Sequence, residues 1–271
     1  MNDGPFGVRS EVLYNSWTKA ETTNDSCTAF PALTVLASSW NTELASRYGQ
    51  ALSEEANYRE KDVQLAPGVN IARTPLNGRN FEYMGEDPFL VSKIAVPYIK
   101  AIQDNGIAVC VKHFALNNQE YQRDTVNVEV SERALREIYL PAFKAAVTEA
   151  GAWSVMGAYN KFRGQYCCHN NYLINDILKG EWKFDGAVIS DWSGTKNAYE
   201  AAMNGLDIEM GTLKPYNKYY MADSLLYFVR NGKVPMEQLD DKVRRVLKLN
   251  LRTAMNRNRP WGSFNTKEHT D

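Results

Sequence analysis

The stretch Ala187-Val188-Ile189-Ser190-Asp191-Trp192 places a carboxylate and an indole directly after a short apolar strand. Polar residues also follow two earlier apolar runs: Lys112-His113 follows Ile107–Val111, and Tyr159-Asn160 follows Trp153–Ala158. Amphipathic stretches with helical periodicity separate these apolar runs. Regular alternation of short buried strands with helices is typical of a parallel sheet covered by helices, so the chain is predicted to be an α/β protein.

An open, doubly wound sheet and a closed barrel both fit this alternation. Polar clusters at three successive strand ends favour the barrel, because the C-terminal strand ends of a (β/α)8 barrel meet on one face. No Gly-x-Gly-x-x-Gly motif follows a strand, which removes the main support for a dinucleotide-binding sheet. We therefore predict a TIM-like (β/α)8 barrel over residues 1–255. Six or seven strands are recognisable, including Val63–Ile71 and Leu206–Met210, so the N-terminal part of the barrel is expected to be absent or supplied elsewhere.

The composition is that of a globular chain large enough for one barrel domain. Its 271 residues are 44% hydrophobic, and 31 basic against 32 acidic residues leave a formal net charge of −1. This balance argues against nucleic acid or a membrane surface as a partner, and the apolar runs are too short to span a bilayer. No signal peptide is recognisable, but the compartment stays open. We expect neither a metal ion nor a cofactor, and we interpret four cysteines without CxxC spacing as ordinary thiols: Cys27, Cys110, Cys167 and Cys168.

The polar residues at the strand ends leave several chemical interpretations open. Asp191 could be a nucleophilic carboxylate or the N-cap of a following helix. Lys112 could bind a hydroxyl group, form a Schiff base in an aldolase, or lie with His113 on an exposed loop. A carboxylate, an aromatic ring and several hydroxyl-binding groups at one barrel face together indicate a sugar subsite. A non-catalytic sugar-binding barrel would carry the same groups.

Six motifs in fixed order closely resemble those of glycoside hydrolase family 3, and most closely its β-glucosidase branch. They run from residue 3 to residue 192: Asp3-Gly4-Pro5-x-Gly7-Val8-Arg9, Gly78-Arg79-Asn80-Phe81-Glu82-Tyr83, Lys112-His113-Phe114, Asn117-Asn118-Gln119-Glu120, Met156-Gly157-Ala158-Tyr159-Asn160 and Ser190-Asp191-Trp192. The Pro-Gly-His-Gly loop of the family's hexosaminidases is absent after Lys112-His113, which argues against an N-acetylglucosaminidase.

The resemblance implies a retaining mechanism in which Asp191 is the nucleophile. It also implies that five residues bind the hydroxyl groups of the terminal sugar: Asp3, Arg79, Lys112, His113 and Arg123. By the same resemblance Tyr159 contacts the nucleophile, and Met156 and Trp192 form walls of the subsite. The expected substrate is a β-glucoside or oligosaccharide, with a β-xylosidase or related exo-glycosidase as the alternative within the family.

The general acid/base is expected to lie outside this chain. In family members of this type it is a glutamate on a following α/β sandwich domain, so a C-terminal domain or a second chain is the implied partner. Gly262-Ser263-Phe264-Asn265 through His269 resembles the segment that connects the family's two domains. We therefore interpret residues 256–271 as a linker toward that domain. Glu82, Glu86, Glu120 and Glu209 lie near predicted strand ends, but none matches the family's acid.

Overall fold

The computed structural model describes residues 1–9, 27–211, 213–253 and 269. Its main sheet has five parallel strands that are neighbours in chain order, with helices in the connections. The strands are β1 (Asn2–Asp3), β2 (Val63–Leu65), β3 (Ala108–Phe114), β4 (Ser154–Gly157) and β5 (Ala187–Ser190). A further bridge joins Ile189 to Ile208 in parallel. This arrangement is the TIM-like α/β barrel predicted from the sequence, and the sheet does not close on itself within the described residues.

Alternate residues of each strand face two different cores, as the period of two in a strand requires. Residues such as Ala108, Cys110 and Ile189 belong to a small cluster in the barrel interior, together with Met156, Met210 and Leu249. Their neighbours Val109 and Val188 belong to the large cluster beneath the surrounding helices. Both faces of the strands are therefore buried, which explains why they read as continuous apolar runs.

The helices begin at residues that satisfy the free backbone N–H groups of the first turn. The side chain of Asn41 caps one helix and that of Asp87 caps another, and Pro88 occupies the first position of the latter. The α-helices of more than three residues in the described part are α1 (Leu33–Ser38), α2 (Thr42–Tyr58), α3 (Pro88–Asp104), α4 (Pro141–Thr148), α5 (Ala198–Met203), α6 (Leu225–Arg230) and α7 (Met236–Arg252). A wide π-type helix, Tyr172–Glu181, lies between β4 and β5 along the chain.

Two predicted strands are shorter than their apolar runs. Residues 63–71 are all buried, but β2 ends at Leu65, because Pro67, two residues further on, lacks a donor for the ladder. Leu206–Met210 contributes only the Ile208 bridge. Residues 132–148 form several short helical segments, and α4 begins at Pro141. The Ser131 side chain caps the first of them by accepting a hydrogen bond from the Ala134 amide.

No helix in the described part of the chain has the length and apolar character needed to cross a bilayer. No disulfide joins the four cysteines, all of which lie in that part. Most of the proposed linker, residues 256–271, lies outside the described residues; only His269 is described.

His269 makes two ion pairs with the end of α2. Its Nδ1 lies 2.9 Å from Glu55 Oε1, and its Nε2 lies 3.2 Å from Glu54 Oε2. The His269 and Glu55 side chains are 5% and 0% exposed, so both members of that pair are shielded from water. Burial alone would lower the pKa of His269, but the two glutamates outweigh it and raise the pKa above its usual 6.5.

We predict that the stabilisation from His269 depends on pH. Because its folded pKa is raised, the stabilisation is fully present below about pH 6.5 and is lost as the pH rises through the higher folded value. The Tm difference between the wild type and His269→Gln should therefore be largest near pH 6 and shrink toward alkaline pH. Thermal unfolding of both proteins across this range measures it. A Tm difference that is independent of pH would contradict the prediction.

Candidate active site

Asp191 lies immediately after β5, and its side chain is almost completely buried, at 6% exposure. The alternation of the strand continues from Ala187 and Ile189 to Asp191, which directs the carboxylate to the inner side of the barrel mouth. One oxygen, Oδ1, accepts a hydrogen bond of 2.8 Å from the Trp192 amide. The other, Oδ2, makes no hydrogen bond of normal geometry within the described residues. Asp191 is therefore not an N-cap; the helix that follows is capped by Asn197.

The surroundings of Asp191 act on its pKa in opposite directions. Burial raises the pKa above its usual 3.8, while the ammonium of Lys112, the Trp192 amide, Arg79 and the Tyr159 hydroxyl each lower it. Burial is the larger effect, so the pKa is raised on balance. The nearby cations and hydrogen-bond donors thus offset part, but not all, of the cost of burying the anion that a nucleophilic carboxylate must be.

Lys112 is buried inside β3, not on an exposed loop as one interpretation of the sequence had it. It is 2% exposed and lies on the same inner face of the strand as Ala108 and Cys110, with which it alternates. Its Nζ is 2.8 Å from Asp3 Oδ1 and 3.5 Å from Glu82 Oε2. Burial alone would lower the pKa of Lys112, but the two carboxylates outweigh it and raise the pKa, so the side chain is an ammonium ion. Lys112 in turn lowers the pKa of Asp3, against the effect of burial.

Arg79 joins the loop after β2 to the end of β3. Its guanidinium makes two hydrogen bonds to Glu82, of 2.8 and 3.0 Å, in the bidentate arrangement that fixes an arginine most firmly. The same guanidinium lies 3.0 Å from Nε2 of His113. That nitrogen is 3.6 Å from Asp191 Oδ2, so the site reaches from Glu82 to the buried carboxylate.

Arg123 and Tyr159 form the opposite side of the site. The Arg123 guanidinium lies over the Tyr159 ring, 4.4 Å from its centre, and donates a hydrogen bond of 2.7 Å to Glu120. Burial raises the pKa of the Tyr159 hydroxyl, and the adjacent Asp191 raises it further. The phenol therefore remains protonated and able to donate toward the carboxylate.

Met156 and Trp192 belong to the barrel-interior cluster below these polar groups. Met156 is 1% exposed, whereas Trp192 is partly exposed and packs against the edge of the same cluster. On the other side of Asp3, a cleft of about 500 Å³ opens between Phe6, Phe81 and Glu82. The structure thus brings all nine residues singled out in the sequence to one end of the barrel.

Four further residues of the site were quoted or passed over in the sequence without a role. Glu82 binds both Arg79 and Lys112, and Asn70 exchanges hydrogen bonds of 2.7 and 2.9 Å with the backbone of His113. Tyr83 and Asn117 lie on the far side of the His113 ring. Glu82, Tyr83 and Asn117 occur within the quoted motifs, which is the signal that could have identified them; Asn70 had none.

No group of three or more His, Cys, Asp or Glu side chains suited to a metal ion occurs among the residues the structure describes. The carboxylates around the site are instead paired with cations. Glu82 is bound by Arg79 and Lys112, Asp3 by Lys112, and Glu120 by Arg123.

Gly194, in the turn that follows Asp191, has no room for a side chain. A Cβ atom there would lie 2.6 Å from the buried Cys168 Sγ and 3.1 Å from the Asp191 carbonyl oxygen. We expect Gly194→Ala to lower the free energy of unfolding by about 1–3 kcal/mol, because the added methyl overpacks the turn. Removing the sulfur should relieve the clash, so Gly194→Ala/Cys168→Ala should lose less than the sum of the two single variants. Denaturant unfolding of the three proteins tests this, and strictly additive losses would contradict it.

A buried carboxylate, an indole and several cations meet at the strand ends, where TIM-barrel enzymes carry their active sites. Residues 19–249 match the family model described as the glycosyl hydrolase family 3 N terminal domain. The chain therefore belongs to glycosyl hydrolase family 3, as its motifs predicted.

The chain aligns over most of its length with proteins of named function. The chain is 61% identical to beta-glucosidase BoGH3A of Bacteroides ovatus, over 99% of this chain and 37% of that protein. It is 40% identical to an exo-alpha-(1->6)-L-arabinopyranosidase of Bifidobacterium longum, over 89% of this chain and 31% of that protein. Beta-glucosidase 3B from Thermotoga neapolitana, solved in complex with glucose, superimposes with a TM-score of 0.88 at 40% identity, covering 99% of this chain and 38% of that one. The chain thus spans about a third of the length of these relatives.

Proposed function

We propose that this chain is the barrel domain of a retaining exo-glycosidase that releases terminal β-D-glucose from β-glucosides or oligosaccharides. The observation that carries the proposal is Oδ2 of Asp191, a buried carboxylate oxygen without a hydrogen-bond partner among the described residues. An unpaired buried anion is costly unless a ligand uses it. The names of the relatives, mostly beta-glucosidases, support glucose as the sugar.

In this proposal Asp191 attacks the anomeric carbon and forms a covalent glycosyl-enzyme. Five side chains bind the sugar hydroxyls, namely Asp3, Arg79, Lys112, His113 and Arg123. The Tyr159 hydroxyl contacts the nucleophile, while Met156 and Trp192 pack against the apolar parts of the ring. Hydrogen bonds to the sugar that strengthen as positive charge develops would favour the transition state over the bound substrate.

A retaining mechanism also needs a general acid about 5 Å from the nucleophile. Glu82 and Glu120 lie in the site, but each is already bound by an arginine, and neither matches the family's acid. We therefore propose that residues 1–255 are the catalytic barrel and that residues 256–271 link it to an α/β sandwich domain with the acid/base glutamate. A second chain carrying that glutamate is the other possible source.

A related exo-glycosidase activity is the second candidate, because one relative at 40% identity is named an arabinopyranosidase. Aryl β-D-xylosides and α-L-arabinopyranosides should therefore be assayed beside the β-D-glucoside. The aldolase interpretation is disfavoured, because the raised pKa of Lys112 keeps its amine protonated and unable to attack a carbonyl.

Covalent trapping tests the proposal. A 2-deoxy-2-fluoro-β-D-glucoside with a good leaving group should label Asp191, and mass spectrometry of the digested protein locates the label. The Asp191→Asn protein should remain unlabelled. Glucose binding without labelling or turnover, even with the partner domain present, would indicate a non-catalytic sugar-binding barrel instead. Borohydride trapping of a carbonyl compound on Lys112 would support the aldolase.

A further inference from the structure

The imidazole of His113 is enclosed by partners that determine where its proton lies. Its ring is 1% exposed, and Arg79 Nη2 approaches its Nε2 to 3.0 Å. A guanidinium has N–H donors and no acceptor, so Nε2 must accept this hydrogen bond with its lone pair. In a neutral ring the single proton then belongs to Nδ1.

The other side of the ring provides an acceptor for that proton. Nδ1 lies 3.2 Å from the Tyr83 hydroxyl, which also receives a hydrogen bond of 2.9 Å from Asn117 Nδ2. The Tyr83 hydroxyl donates its own hydrogen to the backbone carbonyl oxygen of Asn117 at 3.4 Å. A hydroxyl offers one donor and two acceptor sites, and these three contacts use all of them. Tyr83 and Asn117 are 0% and 2% exposed, so water does not compete.

We propose that Tyr83 and Asn117 are positioning residues that hold His113 as its neutral Nδ1–H tautomer, with the Nε2 lone pair directed to Arg79 and no ring proton directed to Asp191. The assignment of the proton stands on these contacts alone. Its consequence for turnover rests on the proposed glycosidase function.

The charge of the ring agrees with this arrangement. Burial lowers the pKa of His113 well below its usual 6.5, and the nearby cations Arg79, Lys112 and Arg123 lower it further. The ring is therefore neutral over the ordinary working range of pH. Asn70 fixes the backbone on both sides of the ring through its bonds to the His113 N–H and C=O groups.

The tautomer determines what the site accepts. His113 Nε2 and Asp191 Oδ2 are 3.6 Å apart, and both are acceptors, so they cannot bond to each other. Arg79 beside them offers only donors. The Nε2 lone pair already accepts from Arg79, so a ligand group placed there donates to Asp191 Oδ2 and accepts from Arg79, which a hydroxyl does and an ether, a methyl or an ammonium group does not. The Nδ1–H form of His113 thus leaves Asp191 Oδ2 available to a ligand hydroxyl, whereas an Nε2–H form would direct the ring's own proton to it.

Nitrogen NMR of the histidine rings tests the assignment directly. The chain has three histidines, so protein labelled with ¹⁵N-histidine gives three pairs of ring signals, and His113→Gln identifies the pair of interest. We expect Nδ1 to be protonated and Nε2 to be unprotonated, without change between pH 5 and 8. A protonated Nε2, or a doubly protonated ring at pH 7, would overturn the proposal without the need for any variant at Tyr83.

Tyr83→Phe tests the role of the positioning residues. Without the acceptor on Nδ1–H, we expect a mixture of tautomers in the NMR spectrum and a loss of kcat/KM of about 10–100-fold, the size typical of residues that orient a functional histidine. Tyr48→Phe is the matched control, since Tyr48 is also buried and donates a hydrogen bond of 2.8 Å to the Pro31 carbonyl, away from His113. It should leave the tautomer and kcat/KM unchanged.

The outcomes separate this inference from the proposed function. If Tyr83→Phe leaves both the ring signals and kcat/KM at wild-type values, the positioning role is wrong even if Asp191 is labelled by the fluoroglucoside. If Asp191 is not labelled but the Nδ1–H tautomer is observed, the glycosidase proposal fails and the proton assignment stands.

Discussion

Replacing Asp191 with asparagine is expected to lower kcat for 2,4-dinitrophenyl β-D-glucoside by about 10⁴-fold or more, as loss of a covalent nucleophile does in other enzymes. An amide oxygen cannot attack the anomeric carbon, but it can still accept the hydrogen bond from the Trp192 amide. The folded structure should therefore be retained, which thermal unfolding checks. The activated leaving group departs from the anomeric carbon without protonation by a general acid.

Asp185→Asn is the matched control for this loss. Asp185 lies just before β5 on the same chain segment, is 59% exposed and pairs with Lys248 on α7. Its replacement should leave kcat within about twofold of the wild type, because a surface pair contributes little to the structure. Equal losses in the two variants would mean that the effect of Asp191 is not chemical.

Azide identifies the face on which Asp191 acts. In Asp191→Gly the vacated space should admit azide, which attacks the anomeric carbon once, from the side of the missing carboxylate. One displacement inverts the configuration, so the product should be α-glucosyl azide, and NMR of the product distinguishes the two anomers. A β-azide would instead assign Asp191 to the general-acid side of the sugar.

The second large effect is expected on stability, at Asp207. Its carboxylate is completely buried, accepts 3.1 Å hydrogen bonds from Lys179 Nζ on both oxygens and a 2.8 Å bond from the Val188 amide. Burial raises the pKa of Asp207 and lowers that of Lys179, so desolvation outweighs the attraction between the two charges in both groups. Such a pair is costly to break from one side, because the remaining charge stays buried.

We expect Asp207→Asn to lower the free energy of unfolding by about 3–5 kcal/mol. Adding Lys179→Met should restore part of the loss, since the unpaired ammonium is then removed as well. Denaturant unfolding of the single and double variants measures both effects. Asp185→Asn again serves as the control and should change stability by no more than about 1 kcal/mol. A loss of that small size at Asp207 would show that Lys179 finds another counterion, with Asp241 at 3.9 Å the nearest candidate.

Much of the fold could be predicted from the sequence because buried parallel strands have an unmistakable composition. The runs at β3, β4 and β5 were located within a few residues, and family membership and the TIM-like fold are confirmed. The predicted extent of the strand at Val63–Ile71 was wrong, since an apolar run shows that residues are buried but not whether they hydrogen-bond to a neighbouring strand. The Pro67 in that run was the available warning.

The sequence predicted which residues form the candidate site better than it predicted the contacts between them. Strand periodicity indicates which side chains reach the barrel mouth, and the motifs supplied Asp191, Lys112 and His113. Burial of loop residues is a tertiary property, however, and a polar loop reads as solvated from its composition alone. The ion pairs of Glu82 and the contacts of Tyr83 with His113 therefore became visible only in the structure.

The ion pairs around Asp191 also determine how the site responds to charge in a ligand. Three cations, Arg79, Lys112 and Arg123, face four carboxylates: Asp3, Glu82, Glu120 and Asp191. With a neutral imidazole the local sum is one negative charge, so the mouth of the barrel exerts no long-range pull on anions. Uronic acids and sugar phosphates should bind poorly there, and the association rate of an uncharged sugar should barely change with ionic strength.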